Sequence, residues 1–166
     1  DAPFTPEAVL RRMIDTMRRH PEHEVVTPVH RLSWDGLDAL REAKKTTPFS
    51  GTTCVRADDG HALWFSKNII PALRDEQKLR ARGNPSPVWQ HMGLYGYRAE
   101  TLARYVVLPQ SPYEILEGLE QLRFLENGIR IMTIEADGAS GLLQAGIDSP
   151  EDVVRAEALL KKNGDA

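Results

Sequence analysis

Two short runs rich in β-branched and aromatic residues, Thr52-Thr53-Cys54-Val55 and Ala62-Leu63-Trp64-Phe65, stand on either side of Asp58-Asp59-Gly60. Asp and Gly tolerate the left-handed backbone of a tight turn, so residues 52–56 and 62–66 are predicted to pair as an antiparallel hairpin. That hairpin constrains the rest of the chain. Helical periods and strand-like runs interleave along the sequence, which is the pattern of an α/β sheet, yet a sheet that contains a hairpin cannot be all-parallel. The expected class is α/β with a mixed, mostly parallel sheet flanked by helices.

Thr5-Pro6-Glu7 reads as an N-cap, a Pro at the first helical position and an acidic first turn. Val9, Leu10, Met13, Ile14 and Met17 then recur with helical spacing and predict a helix over 6–19. Val25-Val26-Thr27-Pro28-Val29 is a strand-like run, and the polar stretch through Lys44-Lys45-Thr46-Thr47-Pro48 predicts one short helix and then a loop. Residues 67–87 carry Lys67, Arg74 and further cations among Gly83, Pro85 and Pro87, without a sustained apolar period, so a long functional or mobile loop is expected. Val88 to Tyr97 predicts one strand, and Leu102, Tyr105 and Val106 predict a short helix ending before Pro109. Ser111-Pro112-Tyr113-Glu114 is a capping box, and the stripe Ile115, Leu116, Leu119, Leu122 and Leu125 up to Asn127-Gly128 predicts a single helix. Ile129 to Ile134 predicts a strand, and Ser149-Pro150-Glu151-Asp152 opens a last helix with Val153 and Val154 facing inward.

The 166 residues carry 21 Lys+Arg against 24 Asp+Glu, a formal net charge of -3, and 41% are hydrophobic. A single domain over 1–166 is expected. No block of like charge offers the clustered basic surface that nucleic acid requires, and no apolar run is long enough to span a bilayer, so neither is an expected partner. Cys54, the single cysteine, excludes an internal disulfide and fits a reducing compartment, and the expected location is the cytoplasm. Asp1-Ala2-Pro3-Phe4, without an initiator Met, predicts a chain that starts in the middle of something longer.

No phosphate-cradling Gly-rich loop precedes a helix, no Cys/His cluster has zinc spacing, and no Gly-x-Ser-x-Gly elbow occurs. What remains is a set of polar residues in unusual places. His91, Gly93 and Tyr95 fall on one face of their predicted strand, where a histidine bonded to backbone at a sheet end fits as well as a binding residue. Glu117, Glu120 and Gln121 also suit the solvated side of an amphipathic helix, and Asp148 also suits a helix cap favoured by the dipole. Cys54 reads as a small buried hydrophobe, and Trp64 and Phe65 as core.

Five stretches taken in order resemble one family. They are Gly60-His61-Ala62-Leu63-Trp64-Phe65-Ser66-Lys67; Ile70-Pro71 with Arg74-Asp75; His91-Met92-Gly93-Leu94-Tyr95-Gly96-Tyr97-Arg98; Leu119-Glu120-Gln121-Leu122-Arg123; and Gly146-Ile147-Asp148-Ser149-Pro150-Glu151-Asp152. The family is the 3-deoxy-manno-octulosonate cytidylyltransferases, or CMP-Kdo synthetases, and the resemblance runs from Asp1 to about Leu160. It implies a nucleotide-diphospho-sugar transferase-like (Rossmann-like) fold. It also implies an enzyme that joins CTP and the acid sugar Kdo to give CMP-Kdo and pyrophosphate, a cytoplasmic step toward lipopolysaccharide or capsule, in a homodimer that uses Mg2+.

Asp1-Ala2-Pro3 resembles the tail of the family's Gly-Asp-x-Pro motif, and the family's nucleotide-gripping Gly-Ser-x-Arg-Leu-Pro-type segment has no counterpart here. The chain therefore resembles the C-terminal acceptor-sugar and dimerisation part. By position, Asp1 and Asp148 resemble the two catalytic magnesium carboxylates. His91, Tyr95, Glu120 and Gln121 resemble residues that hydrogen-bond the sugar, and Arg74 resembles a basic residue of a flexible loop near the site. The family's Phe-Ser-Arg is Phe65-Ser66-Lys67 here, a point charge in place of a planar fork, which opens acceptor choice to an amino-sugar relative or another acidic sugar. Arg41 to Ser50 is longer than the family pattern. The alternative implied by the missing segment is a truncated, non-catalytic module that holds sugar or dimerises.

Overall fold

The computed structural model describes residues 5–136, together with Val153, Val154 and Glu157 of a helical segment. Asp1 and Asp148 lie outside the described residues, as does most of the last predicted helix; Val153 and Val154 are helical and exposed rather than inward.

The sheet is built around β1 (Val25–Arg31), buried along all but its last residue, as its β-branched sequence favours. β4 (Trp89–His91) and β5 (Gly96–Tyr97) run antiparallel to β1, and β6 (Ile131–Glu135) runs parallel to it. The predicted hairpin is present as β2 (Thr53–Arg56) and β3 (Ala62–Ser66), turned with Gly60 at φ 88, and it joins the sheet through β2 against β4. The α/β class with a mixed sheet is as expected. Its internal balance is not mostly parallel: among the described residues four ladders are antiparallel and the β1–β6 ladder is parallel. The hairpin and the two strands that run back along β1 account for the antiparallel ladders.

The helices are α1 (Glu7–Arg19), α2 (Trp34–Thr46), α3 (Glu76–Ala81), α4 (Ala99–Val106), α5 (Pro112–Glu117) and α6 (Gln121–Glu126). On one sheet face, Val9 and Met13 of α1 pack with Val26, Met92 and Ile134. On the other, Val25, Val29 and Ile131 meet Phe65 of the hairpin and Leu122 and Phe124 of α6. Leu37 of α2 packs separately with Leu32 and Val88. No helix among the described residues is long and apolar enough to cross a membrane.

Three predicted elements differ from the structure, each for a local reason. The strand expected over 88–97 is two strands separated by a bend. Pro28 lies opposite that bend, accepting the Met92 N–H at 3.0 Å but having no N–H to return, so the ladder is interrupted. The helix expected after Ser111 is also two, because Gly118 between α5 and α6 sits at φ 62, the left-handed conformation that ends a helix. That break buries Leu119 and Leu122 while leaving Ile115 and Leu116 in solvent. Finally, the 67–87 loop contains α3, which is clamped to α2: Arg41 donates to Glu76 at 2.9 and 2.7 Å, and Arg80 bonds both Glu76 and Asp38 while lying 4.5 Å over the Trp34 ring.

Candidate functional site

The bend after β4 places His91 and Tyr95 in a file of rings across the sheet face covered by α6. Ring centroids are 5.0 Å apart from Phe65 to His91, 5.3 Å from His91 to Tyr95, and 5.6 Å from Tyr95 to Tyr97. Phe124 and Tyr105 continue the file beyond Tyr97 at 5.6 and 4.2 Å. Such packing fixes the rings and leaves only their polar tips free to act.

His91 is neutral in this environment. Enclosure of the ring pushes its pKa down to about 3, and the Lys67 ammonium nearby acts in the same direction. Its Nε2 lies 2.9 Å from Thr27 Oγ1, and the Thr27 hydroxyl also lies 2.7 Å from Leu94 O, an acceptor only. Thr27 therefore donates to Leu94 and accepts from His91 Nε2–H, which leaves Nδ1 as a lone-pair acceptor with no partner among the described residues.

Lys67, at the end of β3, is held by its backbone. The Glu117 carboxylate accepts the Lys67 N–H at 2.8 Å and the Ser66 hydroxyl at 2.8 Å. From the other side, Lys44 Nζ donates to Lys67 O at 2.6 Å and also to the carbonyls of Pro48, Ser50 and Gly51. The segment from Arg41 to Ser50 thus wraps its carbonyls around Lys44 and pins the strand end that carries Lys67. The Lys67 ammonium itself has no ion-pair partner among the described residues.

At the start of α6, Gln121 is buried and Glu120 is exposed. Tyr105 Oη donates to Glu120 O at 3.3 Å, and the Glu120 carboxylate helps raise the pKa of Tyr95 and Tyr97, for which burial is the larger cause. The Tyr95 hydroxyl and Gln121 Nε2 are buried with no hydrogen-bond partner among the described residues. A buried polar group left unsatisfied costs about 1–3 kcal/mol, and each of these two is a donor that an acceptor on a ligand would satisfy. Around the site, among the described residues, stand the Lys67 ammonium, the Glu117 and Glu120 carboxylates and several neutral donors and acceptors. It has no thiol nucleophile, because burial pushes Cys54 up to about 12.

A sequence profile of the family described as cytidylyltransferase matches residues 1–131. The chain belongs to the cytidylyltransferase family. It is 38% identical over 165 residues to a 3-deoxy-manno-octulosonate cytidylyltransferase of Maricaulis maris, covering 99% of this chain and 61% of the relative. With the enzyme of the same description from Dichelobacter nodosus it shares 35% identity over 159 residues, 96% of this chain and 57% of the relative. A solved structure of CMP:2-keto-3-deoxy-manno-octonic acid synthetase complexed with CTP matches the fold with a TM-score of 0.77 and 29% identity, covering 98% of this chain and 59% of that one. The fold is therefore of the nucleotide-diphospho-sugar transferase type, as the resemblance implies. The chain spans about three fifths of the length of these relatives.

Of the residues expected to meet the sugar, Lys67, His91, Tyr95 and Glu120 are brought to one region of the sheet face, and Gln121 follows Glu120 at the start of α6 with its side chain buried. Arg74 is exposed on the loop before α3 and makes no hydrogen bond or ion pair among the described residues. Thr27 and Lys44 support the site without a distinguishing sequence signal, whereas Glu117, grouped with Glu120 and Gln121, and Tyr97, within the His91–Arg98 stretch, carry a weak one. Thr27 reads as one more β-branched strand residue, and Glu117 as the polar side of a helix.

Proposed function

We propose that this chain is the acceptor-sugar part of a CMP-Kdo synthetase-type enzyme, which joins CTP to Kdo or a close acidic sugar and releases pyrophosphate. The observation that carries this reading is the buried, unpartnered Tyr95 Oη beside a neutral His91 with the Lys67 ammonium nearby, together with the buried, unpartnered Nε2 of Gln121, which follows Glu120 in α6. A polyhydroxylated acid needs directional donors and acceptors and one positive charge. In this reading Lys67 attracts the sugar carboxylate, His91 Nδ1 accepts from a hydroxyl, and Tyr95 and Gln121 donate to sugar oxygens. Glu120 accepts at the exposed rim, and Arg74 adds positive charge from its loop. His91 and Tyr95 remain neutral near pH 7 and orient the sugar rather than move protons.

By position Asp1 and Asp148 resemble the family's two magnesium carboxylates, and on that resemblance they would hold Mg2+, whose preference for hard oxygen donors suits them. When bound, the ion neutralises charge on the phosphate being transferred. The cytoplasm is the proposed compartment, in keeping with the free, buried thiol of Cys54.

Titration calorimetry with Kdo tests the site. Tyr95→Phe and Gln121→Leu are each expected to weaken binding about 10-fold, the equivalent of one hydrogen bond lost to a bound ligand. Pyrophosphate release from CTP is expected only with the acid sugar and magnesium, and Asp148→Asn is expected to abolish it. Full release in that variant would overturn the metal assignment. Sugar binding without release would instead support a non-catalytic sugar-binding module. No binding of any acidic sugar would sink both.

We also propose a homodimer. Val106, Val107, Tyr113, Ile115 and Leu116 form an exposed apolar run from the end of α4 through α5, with Val107 79% and Leu116 76% exposed. Contiguous apolar surface of this kind marks an interaction face. Sedimentation equilibrium is expected to return twice the chain mass, and Val107→Glu with Leu116→Glu is expected to return the monomer with its fold intact. A wild-type monomer at micromolar concentration would remove the proposal.

A further inference from the structure

We propose that His20, Glu22 and His23 form a binding site for a transition-metal dication of the zinc type, with His61 extending the donor set. The site occupies the turn between α1 and β1, whereas His91 pairs with Val29 near the other end of β1, so it stands apart from the transferase reading.

Of the chain's five histidines, His20, His23 and His61 meet here. His20 and His23 are stacked with centroids 5.2 Å apart, and His61, from the β2–β3 hairpin, meets His23 edge-on at 5.4 Å. One ligand atom from each of His20, Glu22 and His23 lies within 4.8 Å of the other two.

The turn is held rigid from behind. The Arg98 guanidinium donates to His20 O at 3.0 Å, to His23 O at 3.2 Å and to Met17 O, and the Arg98 backbone N–H donates to Glu24 O at 3.0 Å. The backbones of both histidine ligands are therefore fixed before any ion arrives, which is how a binding site avoids an ordering cost. His61 is oriented by Asp59, whose Oδ1 accepts the His61 backbone N–H at 3.0 Å and whose Oδ2 lies 3.1 Å from Nδ1. A carboxylate behind an imidazole is the usual support of a metal-ligating histidine. Arg130 bonds Asp59 Oδ2 at 2.7 Å and also lies 2.9 Å from His61 Nδ1; because a guanidinium only donates, ligation through His61 Nε2 requires the Nδ1–H tautomer turned to Asp59, with the Arg130–Nδ1 contact given up.

The donor set selects the ion. Imidazole nitrogens with one carboxylate suit Zn2+, Ni2+ or Cu2+, while Mg2+ prefers oxygen ligands alone. In the free protein His20 Nδ1 and Glu22 Oε1 are hydrogen-bonded at 3.0 Å; binding requires the His20 tautomer with its proton on Nε2, so that both atoms face the cation.

Calorimetric titration of the tag-free full chain with ZnCl2 is expected to show one saturable site per chain with micromolar affinity, undisturbed by excess Mg2+. His20→Gln and His23→Gln are each expected to weaken it about 10-fold or more. In the wild-type protein, proton NMR should show the ring signals of His20, His23 and His61 shifting with Zn2+ while those of His30 and His91 stay in place, a readout that needs no variant to fold. Absence of saturable binding, unchanged affinity in the His20→Gln/His23→Gln double variant, or shifts at His30 or His91 instead, would overturn the proposal.

Discussion

Arg123→Met is expected to destabilise the protein by about 3–5 kcal/mol, the cost of leaving one member of a buried ion pair without its partner. Arg123 and Glu114 have side chains only 14% and 5% exposed. Arg123 Nε donates to Glu114 Oε2 at 2.7 Å, and a second bond joins Nη2 to Oε1. The same carboxylate accepts the Ser111 N–H at 3.0 Å, and the guanidinium stacks 4.5 Å over Tyr105 and reaches Leu108 O. Methionine keeps the stem packed on Tyr105 but strands the carboxylate. Adding Glu114→Gln to Arg123→Met should recover much of the loss, since the amide oxygen can still cap Ser111 and no charge is left buried. Urea midpoints of the wild type, Arg123→Met, Glu114→Gln and the double variant decide it: a loss below about 1 kcal/mol for Arg123→Met would mean the pair is solvated and dispensable. Because this pair ties α5 to α6 across Gly118, it also sets where Glu117 and Gln121 sit.

That junction marks the limit of what the sequence discloses. The capping box at Ser111 and the stop at Asn127-Gly128 are local signals, and the expected end points lie close to the ends of α5 and α6. Between them the 3.6-residue period assumes a continuous helix, and a single residue in the left-handed conformation at Gly118 resets the phase. Gln121, on the polar side of one long helix, is buried in the shorter one. Gly118 in the middle of an apolar stripe was a readable warning, since glycine there costs about 1 kcal/mol relative to alanine. His91 and Tyr95 are neighbours as expected, but through a bend rather than through strand alternation, because Pro28 on another strand interrupts the ladder. Side chains drawn from distant segments leave even less trace. Lys44 looks like any cation in a last helical turn until the carbonyls of Ser50, Gly51 and Lys67 close around it.

Acidification is expected to weaken the fold well above the carboxylate range, because two histidines are buried neutral. His91 takes up its proton near 6.5 when unfolded but only at about 3 when folded, so between those values protons favour the unfolded chain. His30 acts with the same sign: burial lowers its pKa, and neither ring nitrogen has a hydrogen-bond partner among the described residues. Each such group makes stability fall by up to about 1.4 kcal/mol per pH unit below 6.5, so His91 alone removes about 2 kcal/mol by about pH 5. Glu76 and Asp59, held down to about 2 by their partners, lose their contribution only as pH falls through the carboxylate range, which leaves the interval above about pH 5 to the histidines. Urea unfolding across that interval should therefore show a slope that drops by about one proton in His91→Gln and again in His30→Leu. A flat wild-type profile would mean that both rings are solvated. The same neutrality separates the roles of His91 and Lys67: sugar affinity should stay level across this interval, since an uncharged His91 adds nothing to the attraction that Lys67 exerts on the acid group.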